Sequence, residues 1–167
     1  MWFGNLVTME WWDDIWLNEG FARFNEFGCA ESLVGNLDIW DSYMEQIYKV
    51  AQDLDSSSKT HPVRNTCNSP RELEGIFDTI SYAKGASVLR MLINYIGQDT
   101  FKNAIIEYLK KYSYKNTTTE ELFEVLSKHK GEDIGFLMKS WLTEPGFPIV
   151  TASFEDGSLL LNQKQIQ

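Results

Sequence analysis

The chain has 167 residues, 43% hydrophobic, 14% aromatic and 23% charged, with a formal net charge of −9. That is about the length of one domain, with the composition of a chain that buries a core, and it excludes intrinsic disorder. The acidic balance argues against nucleic-acid or anionic-membrane binding, because both need clustered Lys and Arg against phosphate, and it suits a cationic or neutral ligand.

The first predicted helix follows from EWWDDIWLNEGFARFNE (residues 10–26), where Asp13 and Asp14 complement a helix N-terminus and the helix runs to about Gly28. A second helix, residues 37–54, carries Ile39, Trp40, Tyr43, Met44, Ile47 and Tyr48 at helical spacing. A polar, turn-rich connection, DSSSKTHPVRNTCNSP (residues 55–70), joins two helical halves. Ser69-Pro70-Arg71-Glu72 then provides an N-cap, a proline at the first helical position and a capping-box glutamate. Helices are expected next over residues 82–95, stopping at Gly97, and over 100–112 behind Asp99, with Phe101, Ile105, Tyr108, Leu109 and Tyr112 as an apolar stripe. Thr118-Thr119-Glu120-Glu121 forms another capping box leading a helix to His129, and residues 134–142 make the last helix. Past Pro145-Gly146-Phe147-Pro148 the period changes to two: residues 149–154 and 158–162 flank Asp156-Gly157 as a hairpin. No apolar run reaches the ~20 residues of a membrane span, and the N-terminus lacks the blocks of a signal peptide. Cys29 and Cys67 lack CxxC spacing and read as ordinary thiols.

Glu19 and Glu26 are seven residues apart, two helical turns, which places both carboxylates on one helix face together with Trp12 and Trp16. A carboxylate among indoles is costly unless it is paired, hydrogen-bonded or bound to a cation, and Gly20 beside Glu19 admits another backbone or a ligand at ~1 kcal/mol of helix propensity. One reading is a metal ligand backed by a supporting carboxylate. The other is a solvated acidic face in which Gly20 has no function.

WFGNLVTMEWWDDIWLNEGFA (residues 2–22) resembles the segment that follows the HExxH helix in zinc aminopeptidases of the membrane alanyl aminopeptidase family, gluzincins with a thermolysin-like catalytic domain. THPV (60–63), FDTISYAKGASVLRM (77–91) and GFPIV (146–150) resemble the same family in the same order. The resemblance implies that Glu19 is the third zinc ligand and that Glu26 supports a zinc-bound histidine. Tyr82, by its residues alone a helix-end aromatic, becomes by resemblance the phenol that hydrogen-bonds the developing oxyanion. The implied fold is mainly α: the helical half of a thermolysin-like catalytic domain over residues 1–144, then the first strands of a β-sandwich over 145–167.

The sequence contains no HExxH, and the family's spacing places the second histidine immediately before Met1. His61 and His129 are too far apart for the i, i+4 pair of a zinc helix; both are expected to be structural, His129 in a last helical turn where positive charge suits the dipole. The implied full-length form is a zinc metalloaminopeptidase that takes peptides with a free N-terminus. The chain alone is expected to be inactive, with weak or absent Zn2+ binding. The alternative is a non-catalytic helical binding or regulatory module built on the same scaffold. Family members are membrane-anchored, secreted or cytosolic, so the resemblance implies no compartment.

Overall fold

A computed structural model describes residues 2–34 and 39–166. Eight α-helices and two small sheets are present among them. Strand β1 (Val7–Met9) leads through a 3-10 turn, Trp12–Asp14, into α1 (Trp16–Val34). Helix α1 outruns its predicted end at Gly28; Phe24 and Phe27 pack on Trp40, and past the glycine Glu31 accepts from the Trp40 indole at 2.9 Å. The predicted second helix is observed from Ile39: α2 (Ile39–Tyr43) passes through a π-helical turn, Met44–Tyr48, into α3 (Lys49–Asp55). Leu37, where it was expected to begin, lies outside the described residues.

Helix α4 (Pro70–Ile76) starts at its proline as expected, but Ser69 makes no capping bond to the helix backbone. The Glu72 carboxylate instead accepts from Asn68 N at 2.7 Å and from Ser69 Oγ at 2.9 Å, so the predicted capping box closes one residue further back. The helix predicted from residue 82 divides into a π-helical turn, Ile80–Lys84, and α5 (Gly85–Ile96), which ends at Gly97 with φ +93°. Helix α6 (Gln98–Lys111) follows, then β2 (Lys115–Thr117), which pairs in parallel with β1. Three residues per strand leave too short a period to be read from sequence. The capping box at Thr118 forms: Glu121 N donates to Thr118 Oγ1, Thr118 N donates to Glu121 Oε2 at 2.9 Å, and α7 (Thr119–Lys130) begins there. Helix α8 (Ile134–Thr143) precedes an antiparallel hairpin, β3 (Phe147–Glu155) and β4 (Ser158–Ile166). Asp156 at φ +50° and Gly157 at φ +77° make its two-residue turn, where both central positions need the left-handed region.

One core gathers Trp16 and Phe21 of α1, Leu89 and Leu92 of α5, Tyr108 of α6, Leu122 and Leu126 of α7 and Met138 of α8. Trp16 is 1% exposed, and its indole donates to Thr119 Oγ1 at 3.0 Å. Asp14 is buried as well, and it does not cap its own helix. Its carboxylate accepts from Thr119 N at 3.1 Å and Thr119 Oγ1 at 2.6 Å and pairs with Arg64 Nε at 2.9 Å, serving the N-terminus of α7 instead. Burial pushes the Asp14 carboxyl above its usual range, with the Thr119 bonds and Arg64 opposing.

Helices α1 and α5 meet backbone to backbone at Gly20 and Gly85. A Cβ at Gly20 would lie 3.2 Å from the Gly85 carbonyl carbon and 3.4 Å from its Cα. Backbone cannot swing aside as a side-chain tip can, so the glycine required here serves a helix crossing. Gly28 on the same helix faces open space, with nothing within 4 Å of a built Cβ. Gly20→Ala is therefore expected to destabilise the chain by ~1–3 kcal/mol through overpacking, despite alanine's better helix propensity. Gly28→Ala is expected to stabilise it by up to ~1 kcal/mol. Urea unfolding of the two variants beside the parent checks the pair, and equal effects would contradict the crossing.

Candidate functional site

Glu19 lies in the first turn of α1, half-buried, one residue before the Gly20 crossing. Across that crossing runs the π-helical turn with Tyr82, also half-buried, and α1 packs along both the turn and α5. A π-turn inside a helix recurs at functional sites because it re-aims side chains that a regular helix would hold elsewhere. Asp78 begins the turn: its Oδ1 accepts from Ile80 N at 2.9 Å and Ser81 N at 3.3 Å, while Tyr82 N donates to Asp78 O at 3.2 Å. A cap is needed here because helix N-termini leave backbone donors unmatched.

Burial, together with the Glu19 carboxylate as hydrogen-bond acceptor and neighbouring charge, pushes the Tyr82 phenol up to about 12. The phenol is thus neutral at physiological pH and keeps its proton for donation. Arg23, one turn after Glu19, places its guanidinium carbon 5.8 Å from the Tyr82 ring centroid and pairs through Nη1 with Glu26 Oε2 at 2.8 Å. The structure therefore brings Glu19 and Tyr82 together and connects Glu26 to them through Arg23. Glu26 itself is exposed.

The expected tryptophan wall is a different arrangement. Trp16 belongs to the core, and Trp12 packs edge-on against Phe77 with centroids 6.2 Å apart. Arg23 was not singled out by sequence reasoning, although its i, i+3 spacing to Glu26 was readable. Asp78 was also missed, because the helix was predicted to begin at residue 82, four residues on, whereas the observed turn begins at Ile80. Of the histidines, His61 is 2.9 Å from Asp78, which caps the Tyr82 turn, and His129 is 2.9 Å from Glu107, away from this group. A zinc centre takes at least three protein ligands, and among the described residues no group of three or more His, Cys, Asp or Glu side chains could hold a metal ion. Glu19 is one carboxylate, so the described residues by themselves do not fit a complete metal centre. A cavity of ≈430 Å³ lies elsewhere, lined by Tyr43, Met44, Tyr48, Lys84, Trp141 and Phe147 among others, and Glu19, Glu26 and Tyr82 are not among its lining residues.

The model of the peptidase family M1 domain matches residues 1–141 of the chain. The chain belongs to peptidase family M1. Among curated M1 relatives, leucyl aminopeptidase of Saccharolobus solfataricus is 42% identical over 164 residues, covering 98% of this chain and 21% of its own length. Aminopeptidase M1 of Arabidopsis thaliana is 42% identical over 164 residues, covering 98% of this chain and 18% of its own. Probable aminopeptidase 1 of Saccharolobus solfataricus is 39% identical, with 98% of this chain and 21% of its own covered. The M1 chain thus spans about a fifth of the length of the curated relatives it matches.

The Glu19–Tyr82 contact is open to direct titration. With tyrosine ring carbons labelled, the Tyr82 phenol is expected to ionise at about 12. Glu19→Gln is expected to lower that midpoint, yet leave it above the ordinary 10.0, because burial persists when the charge is gone. An unchanged midpoint would show that Glu19 is not the acceptor.

Proposed function

We propose that this chain is the C-terminal portion of the catalytic domain of a zinc metalloaminopeptidase, a thermolysin-like helical half over residues 1–144 followed by the start of a β-sandwich over 145–167. In the longer polypeptide the activity is release of N-terminal residues from peptides. Glu19 furnishes one zinc ligand, and Glu26 orients another. The observation that carries the proposal is membership of family M1, in a chain whose α1, bearing Glu19, packs against the turn that bears Tyr82.

The chemistry assigned to Tyr82 follows from its protonation. A peptide carbonyl attacked by water develops negative charge on oxygen, and a fixed neutral donor stabilises that charge without becoming charged itself. The acidic balance of the chain suits the cationic N-terminus of a peptide. With one carboxylate ligand supplied here, the chain alone is proposed to be inactive, since zinc needs ligands beyond Glu19.

The test is the native protein from its source. Mass spectrometry of its peptides is expected to find sequence upstream of Trp2 carrying an HExxH helix, and the purified protein is expected to hold zinc and cleave aminoacyl anilides. In that protein Tyr82→Phe is expected to lower kcat by ~10²–10³, and Glu19→Ala to lose the metal. A native chain that starts at Met1, binds no zinc and cleaves nothing would instead support a non-catalytic helical module on the same scaffold.

A further inference from the structure

The connection between α3 and α4 carries one imidazole, His61, whose side chain is 15% exposed. Both ring nitrogens face acceptors. Nδ1 is 2.7 Å from the Pro62 carbonyl oxygen, and Nε2 is 2.9 Å from Asp78 Oδ2. A carbonyl oxygen only accepts. Asp78 Oδ1 already takes the N–H groups of Ile80 and Ser81, the arrangement of an ionised carboxylate. A neutral imidazole has one N–H and one lone pair, so either tautomer would set a lone pair against an acceptor. Only the imidazolium, a donor at both nitrogens, satisfies this site.

The other charge facing His61 is Lys84, at the end of the Tyr82 turn. Its ammonium is occupied by Asp55 Oδ2 at 2.8 Å and the Gly146 carbonyl at 2.8 Å, and Asp55 also accepts from Thr60 Oγ1 at 2.6 Å, next to His61 in sequence. Burial alone would lower the His61 pKa. The hydrogen bonds to Asp78 and Pro62 and the Asp78 charge outweigh burial and Lys84 and raise it above the ordinary 6.5. Burial would likewise raise Asp78, but the His61 hydrogen bond and charge, with the N–H groups of Ile80 and Ser81, hold it below 3.8.

We propose that His61 is a positioning residue for Tyr82: as the imidazolium it clamps Asp78, the residue that caps the π-helical turn presenting the phenol. The inference deepens the proposed function and rests on it only for its catalytic consequence. The clamp is complete below the ordinary histidine value of 6.5 and is lost as pH rises through the higher folded-state value of His61. At the acid end it persists until pH falls through the folded-state value of Asp78, below 3.8.

The test uses the 167-residue chain with nitrogen-15 in its two imidazoles, His129 serving as the internal comparison. At pH 6.5 both His61 nitrogens are expected to show imidazolium shifts, with a midpoint above 6.5. The Tyr82 amide and ring signals are expected to move with that same midpoint, and Asp78→Asn to lower it. A His61 that is a single neutral tautomer at pH 6.5, or Tyr82 signals indifferent to its titration, would overturn the proposal. The unsubstituted chain alone decides these points if Asp78→Asn does not fold. In zinc-loaded protein that cleaves an aminoacyl anilide, His61→Ala is expected to lower kcat roughly 10- to 100-fold with KM little changed, and to cost nothing further in a Tyr82→Phe background. Equal losses in both backgrounds would reduce His61 to a general structural role. Absence of any peptidase activity would count against the proposed function alone, because the imidazole titration does not depend on it.

Discussion

The contact between Gly20 and Gly85 is the constraint on which the site depends. Two helices that meet backbone to backbone have little freedom in relative height and rotation, since no side chain at the crossing can adjust to absorb error. Glu19 precedes one glycine and the Tyr82 turn precedes the other. The carboxylate and the phenol are brought near one another by a steric requirement a short distance away, and the rise in the phenol's pKa, from burial first and the Glu19 carboxylate second, is a consequence of that packing.

Three buried or half-buried carboxylates fasten the helices around this crossing, and each has a partner far from it in sequence. Asp14, ahead of α1, satisfies the N-terminus of α7. Asp55, at the end of α3, pairs with Lys84 and accepts from Gly146 N at 2.9 Å. Asp78 caps the Tyr82 turn and meets His61 from the long connection. Carboxylates out of bulk water are tolerable only with several donors each, and each of these draws at least one donor from a segment far away in sequence. The polar connection between the helical halves is therefore part of the scaffold: it supplies Arg64 to Asp14, Thr60 to Asp55 and His61 to Asp78.

Much of this was legible in the amino-acid order. Pro70, Gly97, the Thr118 capping box and the Asp156-Gly157 turn mark their boundaries because each acts locally, through a fixed φ, a positive φ or a bond three residues away. Glu19, Glu26 and Tyr82 were nominated from residues and motif resemblance, and the structure gathers them on one side of α1. What escaped was set by distant partners. Asp14 looked like a cap for its own helix because its proximity to Thr119, 105 residues on, leaves no local trace. The two π-turns are equally invisible, since one extra residue in a helical turn does not disturb hydrophobic spacing enough to register. His61 read as a loop histidine because its second acceptor, Asp78, lies beyond a turn and a helix.

Lys84 gives the Tyr82 turn a mechanical neighbour. Its ammonium ends the turn that carries the phenol and grips the Gly146 carbonyl, one residue before β3. A Cβ at Gly146, where φ is +76°, would run into the Ile166 carbonyl oxygen of β4, so both strands of the hairpin converge on that grip. The hairpin is thereby tied at its base to the turn that carries the phenol, through Lys84 directly and through Asp55, which holds both Lys84 and Gly146 N.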